Sequence, residues 1–263
     1  MFVPILAYHN IGFQFEWGIN VVSPRLFEKH IKYLATDGYQ SIRIEQYISG
    51  DIQKQKPVII TFDDAYQQVF EYAYPVLDEY GFTASIFVVT DYVGKKNTWD
   101  INLGGKSAYH MGWGEIKELA SKGWEIGSHT STHPDLVALS DEALALELSQ
   151  SRQELQARFG TQIHVMSYPF NRCNTRVVKA VQSAGYSGAC CLAGKLLISS
   201  AYRHFTIPRR GVYAIDDIGW FKHKLKNHVI GKLDDFRQKI ISTCAVGSVY
   251  YKRMKKLKKS IAN

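Results

Sequence analysis

Short apolar runs rich in β-branched residues alternate along this chain with longer segments whose apolar positions recur every three or four residues. Seven runs read as strands: Val3–Ala7, Val58–Phe62, Thr83–Val89, Trp124–Gly127, Ile163–Ser167, Tyr186–Leu192 and Phe205–Ile207. Pro24–Thr36 is a predicted helix with Phe27, Ile31, Leu34 and Ala35 on one face and Ser23 as its N-cap. Further helices are expected from about Tyr66 to Tyr80, ending at Gly81, and over Trp113–Ser121, stopped at Gly123. Ser140 caps a long helix that runs to about Phe159 and ends at Gly160, and Thr175–Ala184 is stopped at Gly185. Asp216–Lys226 and the tail from about Leu233 also carry the helical period. A long irregular insertion, Asp91–Gly112, holds Gly94, Gly104, Gly105 and Trp99.

Strands that alternate with helices predict a parallel sheet covered by helices, and about seven strands suit a closed barrel better than a short open sheet. The 263 residues match an α/β barrel folded as one unit, and neither a repeat nor a low-complexity linker interrupts them. Hydrophobic residues at 46% and charged residues at 21% are those of a globular protein with a substantial core. No apolar stretch is long enough for a membrane-spanning helix. The N-terminal Met-Phe-Val-Pro-Ile-Leu lacks the charged and apolar regions of a secretory signal, so a cytoplasmic or cytoplasmic-face location is expected.

The net charge of +8 is concentrated at the end, in Lys252, Arg253, Lys255, Lys256, Lys258 and Lys259. Val249, Tyr250, Tyr251, Met254, Leu257 and Ile261 lie between these charges. The segment reads first as a solvated end, next as an amphipathic helix in peripheral contact with an anionic membrane surface. No nucleic-acid motif accompanies the charge, so no nucleic acid is expected as partner. Cys173, Cys190, Cys191 and Cys244 show neither metal-type nor disulfide-type spacing, and the adjacent pair reads as small core residues. Oligomeric state is left open.

In parallel α/β folds, functional residues gather beyond the C-terminal ends of the strands. Three polar groups lie there: Asp63-Asp64 after Val58–Phe62, Ser128–His133 after Trp124–Gly127, and Tyr168-Pro169-Phe170-Asn171 after Ile163–Ser167. Adjacent carboxylates at a buried strand end repel each other and are tolerated when a cation neutralises one. His129 and His133 with Asp64 supply three ligands of the type zinc favours, with a fourth position for water. Asp63 is then free to act as base toward that water. Taken singly, Asp-Asp is better explained as a helix cap and the His pair as coincidence; it is their joint, equivalent placement that points to a metal site.

Thr61-Phe62-Asp63-Asp64 resembles the TFDD motif of the polysaccharide deacetylases, the NodB-homology family, and Ser128–Pro134 resembles that family's SH[ST]xxHP motif. The resemblance covers about residues 1–225 and includes Tyr8-His9-Asn10-Ile11 and the stretch Val93–Asp100 leading to Gly123-Trp124-Glu125-Ile126-Gly127. It implies a distorted (β/α)7 barrel over residues 1–230, with 231–263 as a basic amphipathic C-terminal helix. It also implies Asp63 as catalytic base and Asp64, His129 and His133 as ligands of one divalent metal, Zn2+ first and Co2+ or Ni2+ as alternatives. The third motif, usually Arg-x-Pro-Tyr, is Ser167-Tyr168-Pro169-Phe170. The loss of its Arg resembles the poly-N-acetylglucosamine deacetylase branch.

By the same resemblance, Tyr168, Pro169 and Phe170 are expected at the substrate and oxyanion, through the Phe170 backbone N–H. Arg209, after a predicted strand, is the candidate to orient Asp63 in place of the lost Arg. Neither of the family's later motifs is found. His9 is the candidate for substrate contact or acid catalysis, with a satisfied core histidine as the plain reading; His204 is read as a surface residue. Trp99 either packs the insertion or offers a face to a sugar, and His110 is expected to be exposed. The activity implied is removal of N-acetyl groups from an N-acetylated amino sugar in a polysaccharide or glycolipid. Ester deacetylation, deformylation of a lipid-linked sugar, and a weakly active carbohydrate-binding member are the alternatives.

Overall fold

Runs such as Pro57–Phe62 are apolar on both faces, which only a sheet buried on both sides can use. In the computed structural model, which describes residues 2–13, 19–98, 108–192 and 200–226, they close into a ring. The seven strands are β1 (Ile5–Tyr8), β5 (Pro57–Phe62), β6 (Ser85–Val88), β7 (Glu125–Ser128), β8 (Val165–Ser167), β9 (Gly188–Leu192) and β10 (Ile207–Gly211), all parallel. Closure comes from β1, which pairs with β5 in the register Ile5↔Ile59 to Tyr8↔Phe62 and with β10 at Leu6↔Arg210. The short β2 (Asn10–Ile11) and β3 (Val21–Val22) pair apart from the ring, and β4 (Gln40–Ser41) adds to the outside of β5. The expected seven-stranded barrel is the observed one.

The surrounding helices are α1 (Pro24–Thr36), α2 (Ile44–Ser49), α3 (Tyr74–Glu79), α4 (Trp113–Ser121), α5 (Asp141–Phe159), α6 (Thr175–Ser183) and α7 (Ile218–Lys224). Ser23 and Ser140 cap α1 and α5 as expected, each accepting a backbone N–H from the first turn. The helix predicted from Tyr66 to Tyr80 is broken into a π-helical turn, Val69–Ala73, followed by α3. Pro75 has no N–H for an intrahelical bond, and a wider turn before it absorbs the missing link. The strand predicted over Phe205–Ile207 starts at Ile207 and runs through Pro208, Arg209 and Arg210 to Gly211. The C-terminal tail lies outside the described residues, as does its expected boundary at 230.

Two apolar layers hold the barrel. One lies between strands and outer helices; the other fills the barrel itself with Ile5, Ile59, Phe87, Val165, Cys190 and Ile207, one from each of six strands. Gly127 faces Phe87 from β7, where a Cβ would come within 2.6 Å of that ring, so the large side chain fits only because its neighbour has none. Helix α2 closes the bottom with Ile44 and Ile48. Its first turn is held by the Glu125 carboxylate, which accepts the Ile44 and Glu45 N–H groups, both at 2.9 Å.

Candidate metal centre

Side chains alternate along a strand, so residues two positions beyond the apolar barrel layer also face the axis. Those residues are Thr61, Ser167 and Arg209, and they bond to one another. Arg209 donates from Nη1 to Thr61 Oγ1 at 3.0 Å and from Nη2 to Ser167 Oγ at 2.6 Å. Its guanidinium lies over the Phe87 ring, 5.2 Å from the centroid. Two positions further up β5 is Asp63, whose Oδ1 and Oδ2 accept from Arg209 Nη1 and Nη2 at 2.7 and 2.8 Å.

Asp63 is 4% and Arg209 1% exposed, so the pair is an ion pair out of water. Such a pair persists only when most of its remaining bonds are made; Thr61 and Ser167 take up the two Nη groups, while the buried Arg209 Nε has no hydrogen-bond partner among the described residues. Burial alone would raise the Asp63 carboxyl; the Arg209 charge and its two hydrogen bonds overcome that and hold it well below the usual carboxylate range. Asp63 is thus an ionised acceptor, as a base must be.

Asp64 points elsewhere because the backbone turns over. It has φ 69° and Ala65 φ 50°, left-handed values that cost a non-glycine residue roughly 1–3 kcal/mol each and cluster at functional sites. The turn aims the Asp64 carboxylate at His129 and His133, with Oδ1 at 3.6 and 3.5 Å from their Nε2 atoms. These three residues are the group of potential metal ligands found among the described residues, with donor atoms within 4.8 Å of one another.

The donors fit a divalent ion. Tetrahedral ligation at about 2.0–2.1 Å sets donor atoms about 3.3–3.4 Å apart. The observed 3.5 and 3.6 Å lie near that spacing and beyond ordinary hydrogen-bond range. The His129 Nδ1–H donates to the Ser167 carbonyl at 2.8 Å, which leaves the Nε2 lone pair facing Asp64. Burial lowers His129 to about 4 and His133 well below the usual histidine range, so both rings are neutral at physiological pH, the form a metal needs.

The loop that carries both histidines is held from α5. Glu147 Oε2 accepts the Ser131 and Thr132 N–H groups, both at 3.0 Å, and Oε1 accepts the Thr132 hydroxyl at 2.5 Å. Thr130 (φ 70°) and His133 (φ 57°) are left-handed within this loop. Glu147 carries no motif of its own; it stands about two turns into α5, and only the fold brings it beside the histidine loop. Thr61 was quoted only as part of a motif; its two-residue offset from Ile59 and Asp63 marks it as inward-facing.

The other expected site residues divide. His9 is half-buried at the rim above β1, close enough that its charge bears on Asp63, His129 and His133. Phe170, at φ 55°, sets its ring edge-on to His133 with centroids 4.5 Å apart, and Pro169 is buried beneath it. The Tyr168 side chain is not at the centre: it lies in the outer core and its hydroxyl donates to the Phe205 carbonyl at 2.9 Å. His204 is half-buried and accepts from Arg203 on the outer side of β10. His110, expected to be exposed, is 3% exposed and bonded to the Asp64 carbonyl. Its register is set by the ladder that the insertion forms with residues 65–67, which a polar, glycine-bearing segment does not announce. Trp99 lies outside the described residues.

A parallel barrel of seven strands thus carries, at the C-terminal ends of its strands, a buried carboxylate–arginine pair beside an Asp-His-His triangle able to hold a metal ion. The model of the polysaccharide deacetylase family matches residues 50–189, more than half of the chain, and the chain belongs to that family. YxkH of Bacillus subtilis, a polysaccharide deacetylase homologue, is 33% identical over 188 residues, 70% of this chain. The chain spans 62% of the length of that relative. The poly-beta-1,6-N-acetyl-D-glucosamine N-deacetylase of Staphylococcus aureus is 26% identical over 231 residues, 83% of this chain and 73% of that one. Among solved structures, the deacetylase PplD of Streptococcus pyogenes, in complex with acetate, superposes with a TM-score of 0.73 over 85% of this chain and 98% of that one. At 21% identity, that likeness speaks for the fold.

Proposed function

We propose that this protein is a metal-dependent carbohydrate deacetylase that hydrolyses the amide of an N-acetylated amino sugar. The observation that carries the reading is the division of labour between adjacent carboxylates. Asp63 is forked by Arg209 and held ionised, while Asp64 faces two neutral imidazoles at co-ligand spacing. The family and the staphylococcal relative's printed activity support the substrate class.

Asp64, His129 and His133 would hold the divalent ion, zinc first among those the donor set suits. When bound, that ion polarises the acetyl carbonyl and acidifies water. Asp63 accepts the proton of the attacking water at a carboxylate oxygen that Arg209 keeps in place. The Phe170 backbone N–H donates to the developing oxyanion, and its ring packs against His133 to shield the site. His9, at the rim just beyond β1, the strand paired with β5, donates a proton to the leaving amine. Ser167 takes over part of the missing third-motif arginine's position and completes the bond between Arg209 and the base.

Acetate release from chitooligosaccharides and from β-1,6-linked N-acetylglucosamine oligomers tests the reading, with zinc content measured alongside. Asp63→Asn is expected to keep its zinc and lose turnover. Near-normal turnover in that variant overturns the mechanism, and zinc binding without release from either sugar favours a carbohydrate-binding role.

A further inference from the structure

The turn that presents Asp64 is unfavourable by itself, with two successive non-glycine residues in the left-handed region. Something outside the turn must hold it, and the last residues of the insertion do. Gln67 N–H donates to the Tyr109 carbonyl and Met111 N–H to the Ala65 carbonyl, both at 2.8 Å. Between these two bonds, the His110 side chain reaches back to the turn, with Nδ1 at 2.6 Å from the Asp64 carbonyl. A carbonyl oxygen only accepts, so Nδ1 carries the proton and donates. The ring is 3% exposed. It stacks on Tyr66 at 5.0 Å and meets Tyr92 edge-on at 5.6 Å. His110 N–H is itself bonded to the Lys95 carbonyl at 2.9 Å, which ties both arms of the insertion to the same point.

We infer that His110 is a positioning residue for the metal centre: its Nδ1–H fixes the Asp64 peptide and thereby the direction of the Asp64 carboxylate toward His129 and His133. The inference rests on the proposed metal site and adds a residue from the insertion to it. The alternative use of this ring is packing alone, through its stacks on Tyr66 and Tyr92. The two roles separate by substitution. His110→Phe keeps an aromatic ring for stacking and removes the donor. His110→Asn loses the ring but places an amide N–H close to where Nδ1 stood. Groups that orient a metal ligand from behind it typically contribute about 10–100-fold to metal affinity.

The test uses the full chain, with Zn2+ affinity measured by competition against a chromophoric chelator and with the visible absorption of the Co2+-loaded protein as a geometric readout. H110F is expected to bind Zn2+ about 10–100-fold more weakly and to shift the Co2+ bands, while H110N stays within a few-fold of the wild type on both. Wild-type affinity and an unshifted spectrum in H110F overturn the inference. So does an H110N variant as impaired as H110F, because the donor restored by asparagine then rescues nothing. If apo-H110F fails to melt cooperatively in chelator, H110N is compared with H110L, which has a similar shape and no donor; equal zinc affinity in that pair is also fatal to the idea. Asp64→Asn serves as the reference. Its binding zinc like the wild type removes the metal site itself, whereas loss of zinc there with none in H110F removes only the role of His110.

Discussion

Replacing Arg209 by methionine keeps an unbranched chain of similar reach against Phe87 and takes the fork away from Asp63. In the wild type, four hydrogen bonds leave the guanidinium: two to Asp63, one to Thr61 and one to Ser167. Unit charges about 4 Å apart attract by about 4 kcal/mol at an effective dielectric constant near 20, and stranding one partner of a buried pair typically costs about 3–5 kcal/mol. For a domain of this size, about 2–4 °C per kcal/mol makes that a fall of roughly 6–20 °C in the melting temperature of the apoprotein at pH 7. The pH dependence is more diagnostic. Asp63 is held below its ordinary value in the wild type, so its stabilising contribution is fully present above the unfolded carboxylate pKa and is lost as pH falls through the folded value. Without Arg209, burial is the largest influence left on Asp63 and raises it against the smaller effects of His129 and His9. The variant then takes up a proton on folding and suffers least in mild acid. Denaturant unfolding in chelator at pH 7 and pH 4.5 should therefore show a wide gap from wild type at the first pH and a narrow one at the second. The D63N/R209M pair should recover much of the loss. An equal gap at both pH values, or a double variant no better than the sum of the singles, would refute the account.

Glu147→Ala removes the acceptor for two backbone N–H groups in the histidine loop and is expected to weaken Zn2+ binding about 10–100-fold, with Glu147→Gln in between; chelator competition reads both. Gly127→Ala drives a methyl group into Phe87 and should cost about 1–3 kcal/mol by overpacking, measured by urea unfolding, with an unchanged midpoint counting against the packing described. Stripping the metal from a protein held at 100 times its Kd should remove about 2.7 kcal/mol of stability. The same loss should appear in D63N and none in D64N, by differential scanning fluorimetry.

What was legible in the sequence was what is local. Helices α1, α4 and α5 begin and end where their caps and glycines place them, because Ser23, Ser140 and Gly160 act on backbone groups a few residues away. The two metal motifs were legible for a related reason: each is one strand end and its turn. What was missed depends on partners far along the chain. Helix α2 is only six residues long; the Arg43 N–H bond to Gln46 and the left-handed Gly50 are local caps, but its first turn is also held by Glu125, about eighty positions later, which no window around Ile44 contains. Strand β10 was cut short because two arginines looked like the end of an apolar run. His110 was assigned to solvent because the insertion around it is polar, while its environment is made by Tyr66, Tyr92 and the Asp64 carbonyl.

The conflict at β10 is informative beyond the missed boundary. A fully buried arginine in the middle of a barrel strand contradicts the local rule for strands, and such contradictions persist only where something else requires them. Here the requirement lies one layer up. Adjacent carboxylates at a buried strand end cannot both be left unpaired, and neither neighbouring histidine is able to help, since burial keeps both neutral. Arg209 supplies a permanent charge to Asp63. Its guanidinium keeps that charge at any pH at which the protein is folded, so Asp63 is committed to the ionised form. Asp64 is turned by a left-handed backbone away from the arginine and toward two nitrogen donors that carry no charge. With Asp63 and Arg209 cancelling, Asp64 leaves the centre with one negative charge in excess, which calls for a cation, and the donor spacing is one that a divalent metal ion suits. The charge asks for a cation and the donor geometry for a metal ion, and the sequence encodes that pair of demands as much through Arg209 as through the two motifs that first draw the eye.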